Sequence, residues 1–133
     1  MCWSNYMVTP IVLKKPLRVY KVGTSATFDN FISLFLGYKY YKCQTMPTVE
    51  INPEFNRFHT AEKLFSPTWY YDRFYIRKGY HSYLTKEMAK HERNPYEEIG
   101  IFEIPSGSTI YVNYEFKEVV STNIKYLGLL ELK

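Results

Sequence analysis

The chain has 133 residues, with 17 Lys and Arg against 13 Asp and Glu for a formal net charge of +4. That length supports one hydrophobic core and excludes two ordinary domains, and so small a charge excess does not by itself imply a polyanionic partner. Aromatic residues make up 19%, with 14 Tyr and 9 Phe against 6 Gly, which argues against disorder and favours a sheet-rich fold.

Residues 1–16 carry Pro10 and Pro16 among mixed polarity and read as an N-terminal arm, with one domain over residues 17–133. Leu17 to Val22 alternates apolar with polar, apart from Tyr20, and predicts a strand closed by Gly23-Thr24-Ser25. Phe31 to Leu36 is a short apolar run that fits either helical turns or a buried strand. Tyr38 to Cys43 reads as a strand, and residues 44–57, with Pro47 and Pro53, as a surface loop.

Between Phe58 and Lys78 the aromatics are dense, and WYYDRFYIR reads as a strand with an irregular lead through Ser66-Pro67. Tyr80 to Tyr83 predicts another strand. Thr85 is placed to cap a helix through about Arg93, which Asn94-Pro95 ends. Glu98 to Ile104, Thr109 to Val112, Glu118 to Ser121 and Ile124 to Leu132 follow as strands, with Pro105 to Ser108 as a turn. The pattern predicts an α+β domain: a mostly antiparallel sheet, in one piece or split, with one or two short helices. Ile101, Ile104, Val119 and Leu127 are expected in its core.

The segments VYKV, GYHSY with its following helix, IPSGSTIY and EVVSTNI together resemble a family of small proteins encoded by bacteriophages and prophages of gut Bacteroidales. The resemblance spans residues 16–132. It implies an accessory role, and it brings no catalytic residues. More distantly, Tyr20-Lys21-Val22-Gly23-Thr24, then Gly79-Tyr80-His81-Ser82 with Ala89 in the helix, then Glu118-Val119-Val120 are similar to the ordered pieces of ADP-ribosyltransferase-like folds. Lys21 stands where that fold carries a His or Arg, and His81 where one subgroup carries a Tyr.

Under that second resemblance Glu118 and His81 would be catalytic, with NAD as cofactor and Lys21, Thr24 and Ser82 binding the ligand. His81 would orient a ribose or phosphate, with Ser82 donating beside it, and Glu118 would accept from a ribose hydroxyl. The competing readings are a histidine satisfied by backbone, a solvated acid beside Lys117, and an ordinary polar turn at Gly23-Thr24-Ser25. No cofactor is expected without the resemblance. No metal site is expected either, because His59, His81 and His91 are far apart and the chain has no CxxC or HExxH pairing.

A nucleic-acid reading rests on Lys39, Lys42, Arg73, Arg77 and Lys78 among Tyr38, Tyr40, Tyr41, Trp69, Tyr70, Tyr71, Phe74 and Tyr75, where cations neutralise phosphates and rings stack bases. The alternative is that those rings fill the core. Cys2 and Cys43 allow at most one disulfide, and no apolar run approaches the roughly 18 residues of a membrane span. The sequence therefore reads as a cytoplasmic, phage- or prophage-associated accessory protein of a bacterial host cell, binding a host protein or a small ligand and independent of membranes. An NAD-dependent enzyme and a single-stranded nucleic-acid binder are the alternatives.

Overall fold

Alternation of apolar and polar side chains dominates the chain, and the fold is correspondingly built from strands. The computed structural model describes residues 3–5, 9–27, 29–33, 38–56 and 73–132, giving the backbone alone for 3–5, 25–27, 55–56 and 73. A small sheet joins β1 (Trp3–Asn5), β7 (Arg73–Ile76) and β6 (Glu54–Asn56) in the order β1-β7-β6. A nine-stranded sheet holds β2 (Ile11–Val12), β3 (Leu17–Thr27), β4 (Asn30–Ser33), β5 (Lys39–Tyr41), β8 (Tyr80–Tyr83), β9 (Glu98–Ile104), β10 (Thr109–Asn113), β11 (Glu118–Ser121) and β12 (Lys125–Leu129). Its main path runs β12-β9-β3-β8-β11-β10-β2, with β4 on β3 and β5 on β4.

The α+β expectation is corrected by this architecture. Among the described residues strands predominate and pair antiparallel, and there is one helix, α1 (Lys86–Glu92), of seven residues. The structure is closer to all-β, and the ADP-ribosyltransferase-like analogy falls with the α+β class. The single helix starts where its cap predicts, since Thr85 is extended and its Oγ1 accepts from the Met88 amide at 3.2 Å.

Strand β3 organises the molecule. Leu17 to Gly23 pairs with Ile104 to Glu98 on one edge, while the other edge meets β8 at Tyr20 and β4 from Gly23 onward. The expected end of the strand at Gly23 is therefore wrong, because Gly23 is a point of close approach. A Cβ built there would lie 2.1 Å from the Ile32 carbonyl oxygen, so only glycine lets β4 seat against β3.

The expected surface loop at residues 44–57 is irregular and mostly exposed up to residue 53, and is corrected at its end, where β6 pairs with β7. Residues 42–49 run along the free edge of the β12 region, with backbone amides of Cys43, Met46 and Val49 donating to Tyr126, Ile124 and Thr122 carbonyls at 2.8, 2.8 and 2.9 Å. These bonds return β5 to β12, so that β12, β9, β3, β4 and β5 curl into a ring. Its interior holds Val19, Phe31, Tyr40, Phe102, Ile104, Ile124 and Tyr126, each fully buried. Phe102 is central, with ring centroids 5.4 Å from Phe31, 5.0 Å from Tyr40 and 5.1 Å from Tyr126.

The outer face of the same strands is only half covered. Tyr20, Val22 and Ile99 pack under Met88 and Ala89 of α1 and beside Tyr83 and Leu130. Beyond the helix the face is open, which corrects two of the expected core positions. Ile104 and Val119 are fully buried, but Ile101 and Leu127 are only partly so. Register explains the first, since Ile101 opposes Tyr20 and shares its outer face. Leu127 falls in a bulge, where the β12–β9 register shifts between Tyr126 and Gly128. On the far side Ile76 of β7 packs with Ile51, Val120 and Tyr111, joining the small sheet to the large one.

The arm expected at residues 1–16 touches both sheets, with β1 on β7 and β2 on β10. Leu34 to Leu36, Ser66-Pro67, and Trp69, Tyr70 and Tyr71 lie outside the described residues, as do Cys2 and His59. No helix among the described residues is long and apolar enough to cross a membrane.

Candidate functional site

Strand pleating decides where each candidate side chain points. Lys21 opposes Gly100 on the interior face and is 3% exposed. Its ammonium donates to the main-chain carbonyl of His81 and stands 5.3 Å from the Tyr40 ring centroid and 5.8 Å from that of Phe102. Burial pulls its pKa down to about 7. Ser82 is fully buried against the core, opposite Val119, and its hydroxyl has no hydrogen-bond partner among the described residues.

His81 and Glu118 belong to the other face. His81 opposes Val120 and Glu118 opposes Tyr83, two steps along the same β8–β11 pairing. The imidazole is buried at 1% exposure, and its Nε2 donates to the Arg77 carbonyl at 2.9 Å. Burial lowers its pKa to about 4, against the support of that bond and with the Lys21 charge adding to the fall, so the ring is neutral at pH 7. Glu118 is half-buried, and desolvation, with Glu92 adding repulsion, raises its carboxyl to about 7. Thr24 is exposed opposite Ile32.

The five candidates therefore divide between two faces and do not converge. Lys21 reaches the backbone of His81 rather than its ring, and lies under aromatic rings on the side away from Glu118. That arrangement does not fit NAD, which needs the cation, the imidazole and the carboxylate around one ligand, and no catalytic step follows from it. The nucleic-acid cluster is dispersed as well: Tyr40 is fully buried in the ring interior, while Phe74 and Tyr75 belong to the other sheet. Exposed Lys39 lies 5.5 Å from the centroid of its neighbour Tyr41. Among the described residues no group of three His, Cys, Asp or Glu is placed to hold a metal ion.

An open cleft of about 420 Å³ occupies the uncovered part of the outer face. Arg18, Lys42, Ile101, Leu127, Gly128 and Leu129 line it. Arg18 comes from β3 and Ile101 from β9, while Leu127, Gly128 and Leu129 come from the bulged end of β12. Lys42 arrives with the segment that closes the ring, through its bridge to Tyr126. Gly128 has φ +149°, a conformation that favours glycine, and the Lys42 Cε lies 3.8 Å from where a Cβ would stand. The bulge and the bridge together put a lysine stem across an apolar floor.

Sequence reasoning missed this site. Arg18 and Lys42 are joined only by the long-range closure, and Ile101 and Leu127 read as core. The available signal was Ile99-Gly100-Ile101-Phe102-Glu103-Ile104, which places apolar side chains on both faces of one strand and so implies two apolar surfaces. Comparison with protein-family models, curated proteins and solved structures finds no match to this chain.

Proposed function

We propose that the protein is a binding domain that takes a small ligand in the outer-face cleft, without chemistry of its own. The observation that carries this reading is the cleft itself: about 420 Å³, floored by Ile101, Leu127 and Leu129 and flanked by two cations, within the usual size of small-molecule sites. The buried polar groups add support in a different way. Lys21 and Ser82 are closed off in the core, and His81 is held by a backbone carbonyl, so none of them is presented to an incoming substrate. An accessory role in the cytoplasm of a phage-bearing bacterial cell is the setting that the resemblance to phage and prophage proteins suggests.

The test is amide chemical-shift mapping with a library of small fragments. Shifts clustering at Ile101 and Leu127 to Leu129, and abolished by Leu129→Arg, are the expected result. Fragments that leave those amides unmoved while perturbing another surface would overturn the reading.

A further inference from the structure

The two cations of the cleft are left to solvent. Arg18 is exposed on β3 and Lys42 on the closing segment, and neither forms an ion pair or a side-chain hydrogen bond among the described residues. Glu103 opposes Arg18 in the β3–β9 register, and Lys125 opposes Glu103 in the β9–β12 register, so a row of alternating charge crosses the strands beside the cleft. No ion pair within 4.0 Å forms along that row among the described residues either. Arg18, Lys42 and Lys125 against Glu103 leave an excess of two positive charges, three minus one.

Beneath these charges the floor is apolar. Ile101 is held half-open by its outer-face register, and the bulge pushes Leu127 to the same side as the Lys42 stem. Aliphatic side chains left uncovered on a folded domain lose the stabilisation that burial would give, and unpaired cations beside them attract an anion. One ligand chemistry answers both.

Resting on the reading of the cleft as a binding site, we infer that its ligand is an amphiphilic anion, with an apolar body on Ile101, Leu127 and Leu129 and a carboxylate or phosphate head between Arg18 and Lys42. The guanidinium presents a planar fork of donors that suits either head, and the ammonium adds a point charge. The cleft is large enough for a short alkyl or single-ring body.

The experiment is an amide chemical-shift titration of the whole protein with four probes: octanoate, octyl phosphate, neutral octyl glucoside and inorganic phosphate. Octanoate, octyl phosphate or both should move Ile101 and Leu127 to Leu129, and which of them binds more tightly identifies the head group. Arg18→Gln with Lys42→Gln should weaken that binding about tenfold or more, and added salt should weaken it too. Glu103→Gln, which removes the opposing charge, should strengthen it, and a dispersed spectrum confirms that each variant is folded.

If octyl glucoside binds as tightly and the double substitution has no effect, the anionic class is wrong while the cleft remains a binding site. Inorganic phosphate matching octyl phosphate would likewise overturn the amphiphilic part and leave a bare anion site. If no amphiphile moves the cleft amides, this inference fails, and if no fragment does so either, the proposed function fails with it.

Discussion

Arg18 and Lys21 are three residues apart on one strand and live in opposite environments. Lys21 points into the ring interior, 3% exposed, among aromatic faces and with a single backbone carbonyl as partner. Arg18 points outward over an apolar floor with no partner among the described residues. The lesson is that a cation's chemistry here is set by which face of the pleat it occupies. The interior cation is a structural group bearing a desolvation cost, and the outer one is an unused recognition group.

The comparison breaks most sharply in the two apolar layers. Phe102→Ala removes the ring that touches Phe31, Tyr40 and Tyr126, and should cost about 3–5 kcal/mol in denaturant unfolding. Leu127→Ala, at a partly buried position on the cleft floor, should cost less, about 1–2 kcal/mol, because part of its side chain stays in water on folding. Equal losses would mean that the outer face is as much core as the interior.

Lys21 sharpens the contrast through pH. Its folded pKa, about 7, lies below the ordinary value of 10.5, so between those limits the unfolded chain binds more protons than the native one. Stability should therefore rise as pH goes from 7 toward 10, and below 7 the full cost of the buried charge is present, roughly 3–5 kcal/mol. Lys21→Met keeps the stem and deletes the charge, so it should flatten that rise and stabilise the protein at pH 6. The tyrosines set the upper limit of the window: burial raises Tyr40, Tyr80, Tyr83 and Tyr126, so stability contributed by their neutral forms is lost once the unfolded phenols ionise above about 10. Unfolding curves from pH 7.5 to 9.5, above the titration windows of Glu118 and His81, isolate the Lys21 effect.

Glu118 gives a smaller effect of opposite sign. Its folded pKa, about 7, lies above the ordinary value of 4.5, so its contribution is fully present below 4.5 and is lost as pH rises to 7. His81, lowered to about 4 from 6.5, contributes stability that grows from pH 4 to 6.5. Glu118→Gln should thus raise stability at pH 8 slightly while leaving pH 4 unchanged, and should leave ligand binding in the cleft untouched. A Glu118→Gln variant that lost binding would return the carboxylate to the site.

Much of the strand order was legible because it is local. Glu98 to Ile104 and Glu118 to Ser121 are short β-favouring runs bounded by turn residues, and Thr85 marks its helix by a cap that needs only the next three residues. What was not legible depends on distance in sequence. Gly23 reads as a strand end, yet it is glycine because the Ile32 carbonyl comes within 2.1 Å of its Cβ direction. Residues 44–57 read as a proline-punctuated loop, yet the Met46 and Val49 amides within it pair with the distant Ile124 and Thr122 carbonyls. The cleft inherits that difficulty, since Lys42 joins Arg18 and Leu127 only after the ring has closed. The α+β expectation failed for a related reason: one well-capped helix stands out in the sequence as clearly as any strand, although the sheet makes up most of the fold.

The division between a sealed interior amine and an open cleft amine is tested most directly by native reductive methylation with formaldehyde and cyanoborohydride at pH 8, read residue by residue by mass spectrometry. Lys42 should be methylated readily and protected by octyl phosphate. Lys21 should remain unmodified until the protein is unfolded, although its amine is largely neutral at that pH. Rapid native methylation of Lys21, protected by the same ligand while Lys42 is indifferent to it, would contradict the account and place the binding site in the interior.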